Sequence, residues 1–428
     1  MRVLMFGWEF PPHISGGLGT ACYGLTKGIS HISDLDVIFV VPKAFGDEDQ
    51  SSMKLVGAND ISIKHRQIEV KQYSKTLEYI EVNSKLVPYV DPEEFWTLNS
   101  SEVSSSRKFV KTDEHGRVAF TGKYGADLLQ EIANYAVVAN VIAQDNTFDL
   151  IHAHDWLTYP AGIAAKEASG KPLVVHVHAT DFDRSGGSVN PTVFDIEKRG
   201  MEAADKVITV SNLTRKTVIE KYGISPEKVV TVYNAVEPTV KKKEQPFKKN
   251  VDEKIVTFLG RITMQKGPEY FIEVANEVLK RVDNVRFVMA GSGDMMEKMI
   301  RRAASLKIMD KFHFTGFLKG DDVFSMLRMS DLYVMPSVSE PFGISPLEAM
   351  QSSVPVLISN QSGVAEILTY AIKTNFWDID AMADAIHGII SYPSLSEMFV
   401  KHGREEVDNL KWEKSARDVK KVYESVLN

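Results

Sequence analysis

The sequence predicts an α/β chain built from two parallel-sheet domains, and three observations carry that prediction. Short β-branched and aromatic runs alternate with longer helical patterns, the signature of parallel sheets flanked by helices. A basic segment, "KKKEQPFKKN" (Lys241–Asn250), interrupts the alternation and divides it into two sets. The length of 428 residues is enough for two domains, and 44% hydrophobic with 25% charged residues is ordinary for a globular chain with a buried core.

In the first set the strand candidates are "RVLMFGW", "DVIFVVP", "FDLIHAH", "PLVVHVHA", "KVITVS" and "KVVTVYNAV". In the second they are "KIVTFLG", "VRFVMAG", "FHFTGF", "DLYVMPS" and "VPVLIS". The best-formed helix follows Gly267: Phe271, Val274, Ala275, Val278, Leu279 and Val282 share one face, and Pro268 suits a first-turn position. The closing "WEKSARDVKKVYESVLN" reads as an amphipathic helix with Ala416, Val419, Val422, Tyr423 and Val426 inward. These runs place a first domain at 1–238, a linker at 239–252, a second domain at 253–408 and a terminal helix at 409–428. Residues 45–125 are too long and too rich in Ser, Lys, Glu and aromatics for a connection, and read as a decorated insertion. Its Tyr73, Tyr79, Tyr89, Phe95 and Trp96 suit a small core of the insertion better than a platform for sugar rings.

Composition excludes several classes of function. A formal net charge of -7 argues against general nucleic-acid binding, which needs a basic excess or stripe. The basic run at Lys241–Asn250 reads as a solvated linker, since its Pro and Glu speak against a membrane-surface patch. The single cysteine, Cys22, rules out an internal disulfide framework and a thiolate-rich zinc site. The amino-terminal "VLMF" is no secretory h-region, and no apolar run approaches the ~20 residues that span a bilayer. A cytoplasmic location is therefore expected.

Five stretches carry the chemistry. "PPHISGGLGT" leaves a buried strand and enters a helix through Gly16, Gly17 and Gly19, where exposed backbone N–H groups at a helix start suit a diphosphate. The loop matches neither GxGxxG nor Walker A, and taken alone it serves equally as a tight turn. "LGRITMQKGPEYF" places Arg261 just past a strand and Lys266 just before a helix, a fork and a point charge for a phosphate chain. "MPSVSEPFGISPLEAM" offers Glu340 in a Pro/Gly loop, backbone donors at Phe342, Gly343 and Ile344, and Glu348 about two turns into the next helix. Carboxylates with backbone N–H groups suit a hydroxyl-rich ligand, and this setting favours sugar binding over the paired acids of glycoside hydrolysis. "IHAHDWLTYPAG" and "VVHVHATDFDRSGG" set His152, His154, Asp155, His176 and His178 at the ends of two strands. Ligands of open α/β sheets bind beyond the carboxyl ends, so His154, Asp155 and His178 are the expected exposed candidates. Alternation puts each histidine pair on one face, and a metal site would require those faces to meet. Buried, hydrogen-bonded histidines are the commoner outcome, and no metal ligands are assigned. The acidic triplet at Asp181–Asp183 is discounted as a cation site, because similar triplets begin at Asp34 and Asp378.

Together, "SGGLG", "HAHDW", "VHVHATDFD", "GRITMQKG" and "SEPFGISPLEAM" resemble, in order and separation, the motifs of retaining glycosyltransferases of the GT-B fold. The resemblance is to the glycogen and starch synthase group and the related group 1 (family 4) transferases, and it covers nearly the whole chain. It implies two Rossmann-like domains facing across a cleft, with the terminal helix around Trp412 crossing back to the first. It implies glucosyl transfer from ADP-glucose or UDP-glucose to an α-1,4-glucan, without metal or cofactor, or hexosyl transfer to an envelope glycoconjugate or small acceptor. Gly16 and Gly17 would then face the donor diphosphate, Arg261 and Lys266 its leaving phosphates, and His178 the sugar near its 6-hydroxyl. Asp155 and His154 would help place sugar or acceptor. Glu340 with the 342–344 backbone would bind sugar hydroxyls, and Glu348 the ribose. A nucleotide-sugar epimerase or a non-catalytic binder of the same fold is the alternative of another class. Two departures stand out: "HISGG" replaces the "KTGG" of bacterial glycogen synthases, leaving His13 where the family has lysine, and "YNAVE" replaces "NGV". Oligomeric state is not written in these residues.

Overall fold

The computed structural model describes residues 1–14, 16–63, 112–125, 127–237 and 251–427. The aromatic residues at 73–96 and the basic run at 241–250, with much of the expected insertion and linker, lie outside the described residues. Every strand run read from the sequence forms a strand. The first sheet holds β1 (Arg2–Phe6), β2 (Asp36–Val41), β3 (Lys54–Gly57), β4 (Leu150–His154), β5 (Leu173–Val177), β6 (Lys206–Thr209) and β7 (Val229–Thr231). Its order is β3-β2-β1-β4-β5-β6-β7. The second holds β8 (Lys254–Leu259), β9 (Val285–Ala290), β10 (Phe312–Gly316), β11 (Leu332–Met335), β12 (Val356–Ser359) and β13 (Ile372–Thr374), in the order β10-β9-β8-β11-β12-β13. All pairings between these strands are parallel. The edge strands β3 and β13 add to the sequence reading.

The connectivity of both sheets reverses once, between β1 and β4 in the first and between β8 and β11 in the second. At such a reversal, helices leave to opposite faces and open a crevice beyond the carboxyl ends of the strands. The loops after β1, β8 and β11 carry the glycines, the cations and Glu340, while His152 and His154 lie at the end of β4, His176 lies in β5 and His178 directly follows β5.

Strands covered on both faces have no polar side, which explains runs such as Leu150–His154 in which every position is buried. One face of the first sheet packs on the helices Leu128–Asp145 and Tyr159–Ser169, whose Tyr135, Val138 and Ala161 enter a shared apolar cluster. The other face packs on Gly17–Ser30 and on the terminal helix Trp412–Leu427. The terminal helix therefore crosses back to the first sheet. Trp412 is 4% exposed, and a Cβ on Gly24 would sit 2.2 Å from its indole, so the close approach needs glycine there. In the second half, Phe271, Val274, Ala275 and Val278 of the helix Pro268–Leu279 are fully buried, as their periodicity predicted; the helix ends before Val282, which packs partly buried beside it.

Candidate active site

The second half presents its charges at the ends of β8 and β11. Two residues past β8, Arg261 directs Nη2 toward Gln265 Oε1 at 3.4 Å. A single 3-10 turn, Met264–Lys266, leads into the helix Pro268–Leu279 through Gly267. The Lys266 ammonium pairs with the Glu340 carboxylate, both side chains largely buried. Glu340 is held in turn by its backbone, which accepts from Gly363 N at 2.8 Å and donates to Gln361 O at 2.9 Å. The pair joins the two loops flanking the sheet's reversal, and sets a cation beside a helix start, where oriented N–H groups also favour an anion.

The segment Phe342–Ile344 precedes the helix Ser345–Gln351. Gly343 has φ 100, a left-handed conformation that side chains resist, and a Cβ there would approach Glu340 Cγ to 3.2 Å. Phe342 is buried, and Ile344 packs both on the second-half core and on the first-half cluster that holds Leu18. Glu348 lies in the first turn of a seven-residue helix, not two turns in as expected, because the chain stays irregular through Ile344. Burial pushes its carboxyl up to about 7.

In the first half, Gly16 caps the helix Gly17–Ser30 in an extended conformation, with no side-chain cap and no acidic residue in the first turn. A Cβ on Gly17 would meet nothing within 4 Å, so this backbone faces open space. Gly19 is different: a Cβ there would collide with Ile14 at 2.3 Å, and its N–H donates to Glu9 Oε1 at 3.2 Å. Of the three glycines, Gly17 is exposed and Gly16 partly buried, while Gly19 keeps the loop against the strand. His13, where the family has lysine, stacks on Phe45 with centroids 3.9 Å apart and approaches Asp47 Oδ1 through Nε2 at 2.7 Å.

The expectation that His154 and Asp155 stand exposed is wrong. They are 0% and 2% exposed, because the terminal helix and Gly17–Ser30 cover that face of the sheet. Asp155 has φ 58 and turns its carboxylate to the next strand, where Oδ1 accepts from His178 N at 2.7 Å and Ala179 N at 3.3 Å. Burial is the main cause of its rise to about 6, opposed by Arg184 and these backbone donors. Asp155 thus fixes the backbone that carries His178. His178 is partly buried; its Nε2 lies 2.9 Å from His154 Nδ1, and burial pushes it down to about 3, so the ring is neutral. The two histidine pairs, read separately in the sequence, meet on one face: His154 is the register partner of His176.

Sequence reasoning missed a contact that joins the halves. Ser339 Oγ donates to Asp183 Oδ1 at 2.6 Å, and a Cβ on Gly186 would come within 2.2 Å of Met264 Cε. Asp183 also closes a capping box, accepting from Thr180 N and Thr180 Oγ1 at 2.8 Å each. The Thr-x-x-Asp spacing of that box was readable; Ser339 carried no signal. Behind it, Arg184 Nη2 donates to Glu197 Oε1 at 2.5 Å and Asp181 accepts from Asn190 N at 2.6 Å. Asp181 and Asp183 are therefore committed to protein donors, and the loop before the helix Pro191–Ala203 is held rigid against Ser339.

Comparison with known proteins follows the same line. Residues 239–406 match the family described as Glycosyl transferases group 1, and residues 102–240 match Glycosyltransferase Family 4, so the two matches together run from 102 to 406. The chain belongs to the group 1 glycosyltransferases. It is 27% identical over 442 residues to an uncharacterised glycosyltransferase of Methanocaldococcus jannaschii, covering 99% of this chain and 98% of that protein. It is 22% identical over 436 residues to a glycogen synthase of Mycobacterium tuberculosis, covering 99% and 94%. Among solved structures it resembles Anabaena HepE in complex with UDP and glucose, with TM-score 0.67, 15% identity and coverage of 99% and 100%. The transferase has the GT-B fold: two Rossmann-like parallel sheets, with site-bearing loops that meet between them. No helix among the described residues is long and apolar enough to cross a membrane.

Proposed function

We propose that the transferase moves glucose from ADP-glucose or UDP-glucose to the non-reducing end of an α-1,4-glucan, retaining anomeric configuration and using no metal for transfer. The observation that carries this reading is the placement of Arg261 and Lys266 between the end of β8 and the start of the helix Pro268–Leu279. A departing nucleoside diphosphate gains negative charge as the glycosidic bond breaks, and cations with oriented N–H groups stabilise it most at that moment. Two fixed positive charges here do what a divalent ion does elsewhere. Gly16 and Gly17 supply open backbone on the opposite side of the diphosphate. Glu340, tethered to Lys266, and the N–H groups of Phe342, Gly343 and Ile344 hold sugar hydroxyls, while Glu348 holds the ribose.

His178 approaches the sugar near its 6-hydroxyl, on a backbone that Asp155 holds through two hydrogen bonds. His154 and Asp155 act from beneath, orienting His178 rather than touching the acceptor. Retention follows from front-face attack, in which the leaving phosphate takes the acceptor's proton, so no side-chain nucleophile is required. A site shared between two halves excludes water on closure, which directs the sugar to the acceptor.

A second reading, hexosyl transfer to an envelope glycoconjugate or small acceptor, is favoured by "DFDRSGG" and "EPFG" before Glu348 and by the replacement of lysine by His13. Incubation with ADP-glucose or UDP-glucose and either glycogen or lipid acceptors separates the two. The first reading expects elongated glycogen, and no elongation with any glucose donor overturns it. Change of the nucleotide sugar without acceptor would show an epimerase instead.

A further inference from the structure

Beneath the donor loops, four imidazoles gather on one face of the first sheet, three of them buried. His152 and His154 stand two residues apart on β4, and His176 is the register partner of His154 on β5. His178 follows at the end of β5. The rings lie against one another: centroids are 4.2 Å apart for His152 and His154, 5.4 Å for His152 and His176, and 5.3 Å for His154 and His176. His152, His154 and His176 are 0%, 0% and 2% exposed. Burial holds all three neutral, well below the usual histidine range.

A neutral imidazole has one donor and one acceptor nitrogen, and a buried polar group left unpaired costs ~1–3 kcal/mol. Here His152 Nε2, His154 Nε2 and both nitrogens of His176 make no hydrogen bond to any described group. The other nitrogens of the β4 pair are anchored: His152 Nδ1 lies 2.6 Å from Tyr423 Oη, and His154 Nδ1 lies 2.9 Å from His178 Nε2. That is the pattern of metal-bound histidine, in which one ring nitrogen is oriented by an outer partner and the opposite one is left for the ion. Two histidines at alternate positions of one strand and a third on the neighbouring strand supply three nitrogens from one face. One ligand atom from each of His152, His154 and His176 lies within 4.8 Å of the others. A zinc–nitrogen bond of about 2.0–2.1 Å requires the rings to close further, which side-chain rotation supplies.

We propose that His152, His154 and His176 bind a divalent transition-metal ion, zinc by the chemistry of its ligands, in a structural site that ties the first sheet to the terminal helix through Tyr423. All-imidazole sites suit zinc, copper and nickel over magnesium or calcium. Cys22 forms a neighbouring group with His154 and His178, whose ligand atoms also lie within 4.8 Å of one another. The site shares His154 with the contact that orients His178, while the leaving group is held by Arg261 and Lys266.

The test is metal content of the full chain, purified from zinc-supplemented cells and passed through a chelator by gel filtration. About one zinc per chain is expected, with cobalt substituted by refolding giving the visible absorption of a tetrahedral nitrogen-rich site. His152→Phe with His176→Phe should lose the metal while His13→Ala keeps it. Less than ~0.1 zinc per chain in the native protein and no cobalt spectrum overturn the site. So does metal that the His13→Ala variant loses, which would place it at the cluster of His13, Asp47 and Glu48. If the double variant does not fold, the native metal content and cobalt spectrum still decide.

Discussion

The reversal points of the two sheets stand in contrast. In the second, the loops after β8 and β11 carry charge to the surface of the crevice: Arg261, and Lys266 held to Glu340. In the first, the loops after β4 and β5 turn their polar groups inward, and Asp155, His154 and His176 are buried beneath the terminal helix. On the proposed function, one sheet meets the donor with cations, the other with backbone whose position buried side chains fix. The same crevice geometry thus supports two kinds of contribution, one electrostatic and one positional, and mutations should separate them.

The largest effect belongs to the cations. Lys266→Ala or Arg261→Ala should lower kcat/KM by ~10²-fold or more in folded protein, the loss of transition-state charge stabilisation. Near-normal rates in either variant would break the contrast at its electrostatic end. Glu340→Gln keeps shape but frees Lys266 and weakens hydroxyl binding, so a smaller loss, about 10-fold and mostly in KM, is expected from steady-state kinetics. At the positional end, Asp155→Ala should act through His178, costing about 10-fold, with Asp155→Asn restoring most of the rate because an amide oxygen still accepts from His178 N and Ala179 N. An Asn variant as poor as the Ala variant would mean that the charge itself is used.

Ser339→Ala removes one of several hydrogen bonds between the halves, worth about 1 kcal/mol, and should shift kcat/KM only a few-fold. A separate effect falls on stability against pH. The folded Glu348 keeps its proton up to about 7, whereas its ordinary value is 4.5. Between those values the folded chain binds more proton than the unfolded one, so Glu348 makes stability fall as pH rises through that window and level off above it. Denaturant titrations across the range should lose this component in Glu348→Gln; an unchanged slope would remove Glu348 from the account.

How much of this was legible in the sequence depended on the range of the physics involved. Strand and helix patterns are local, so the runs behind both sheets were readable, as were the cation loop and the Pro/Gly loop of Glu340. The edge strands β3 and β13 were missed because "KLVG" and "IKT" are too short to show a period. The faces of the histidines followed from alternation, but their burial did not. It depends on Tyr423, 271 residues from His152, covering that face. Glu348 slipped from the second turn to the first because a left-handed Gly343 delays the helix, a choice the backbone makes with Met335 and Glu340 in place. Ser339 was invisible, since its partner Asp183 lies in the other half, 156 residues away.

The most direct measurement of the central claim is nucleoside diphosphate release from ADP-glucose and UDP-glucose, with and without glycogen, with a chelator present during the assay. Native protein should release the diphosphate only with acceptor, should do so in the chelator, and Lys266→Ala should be ~10²-fold slower. A strict requirement for added metal, or an unimpaired Lys266→Ala, would contradict a transferase whose leaving group is held by protein cations.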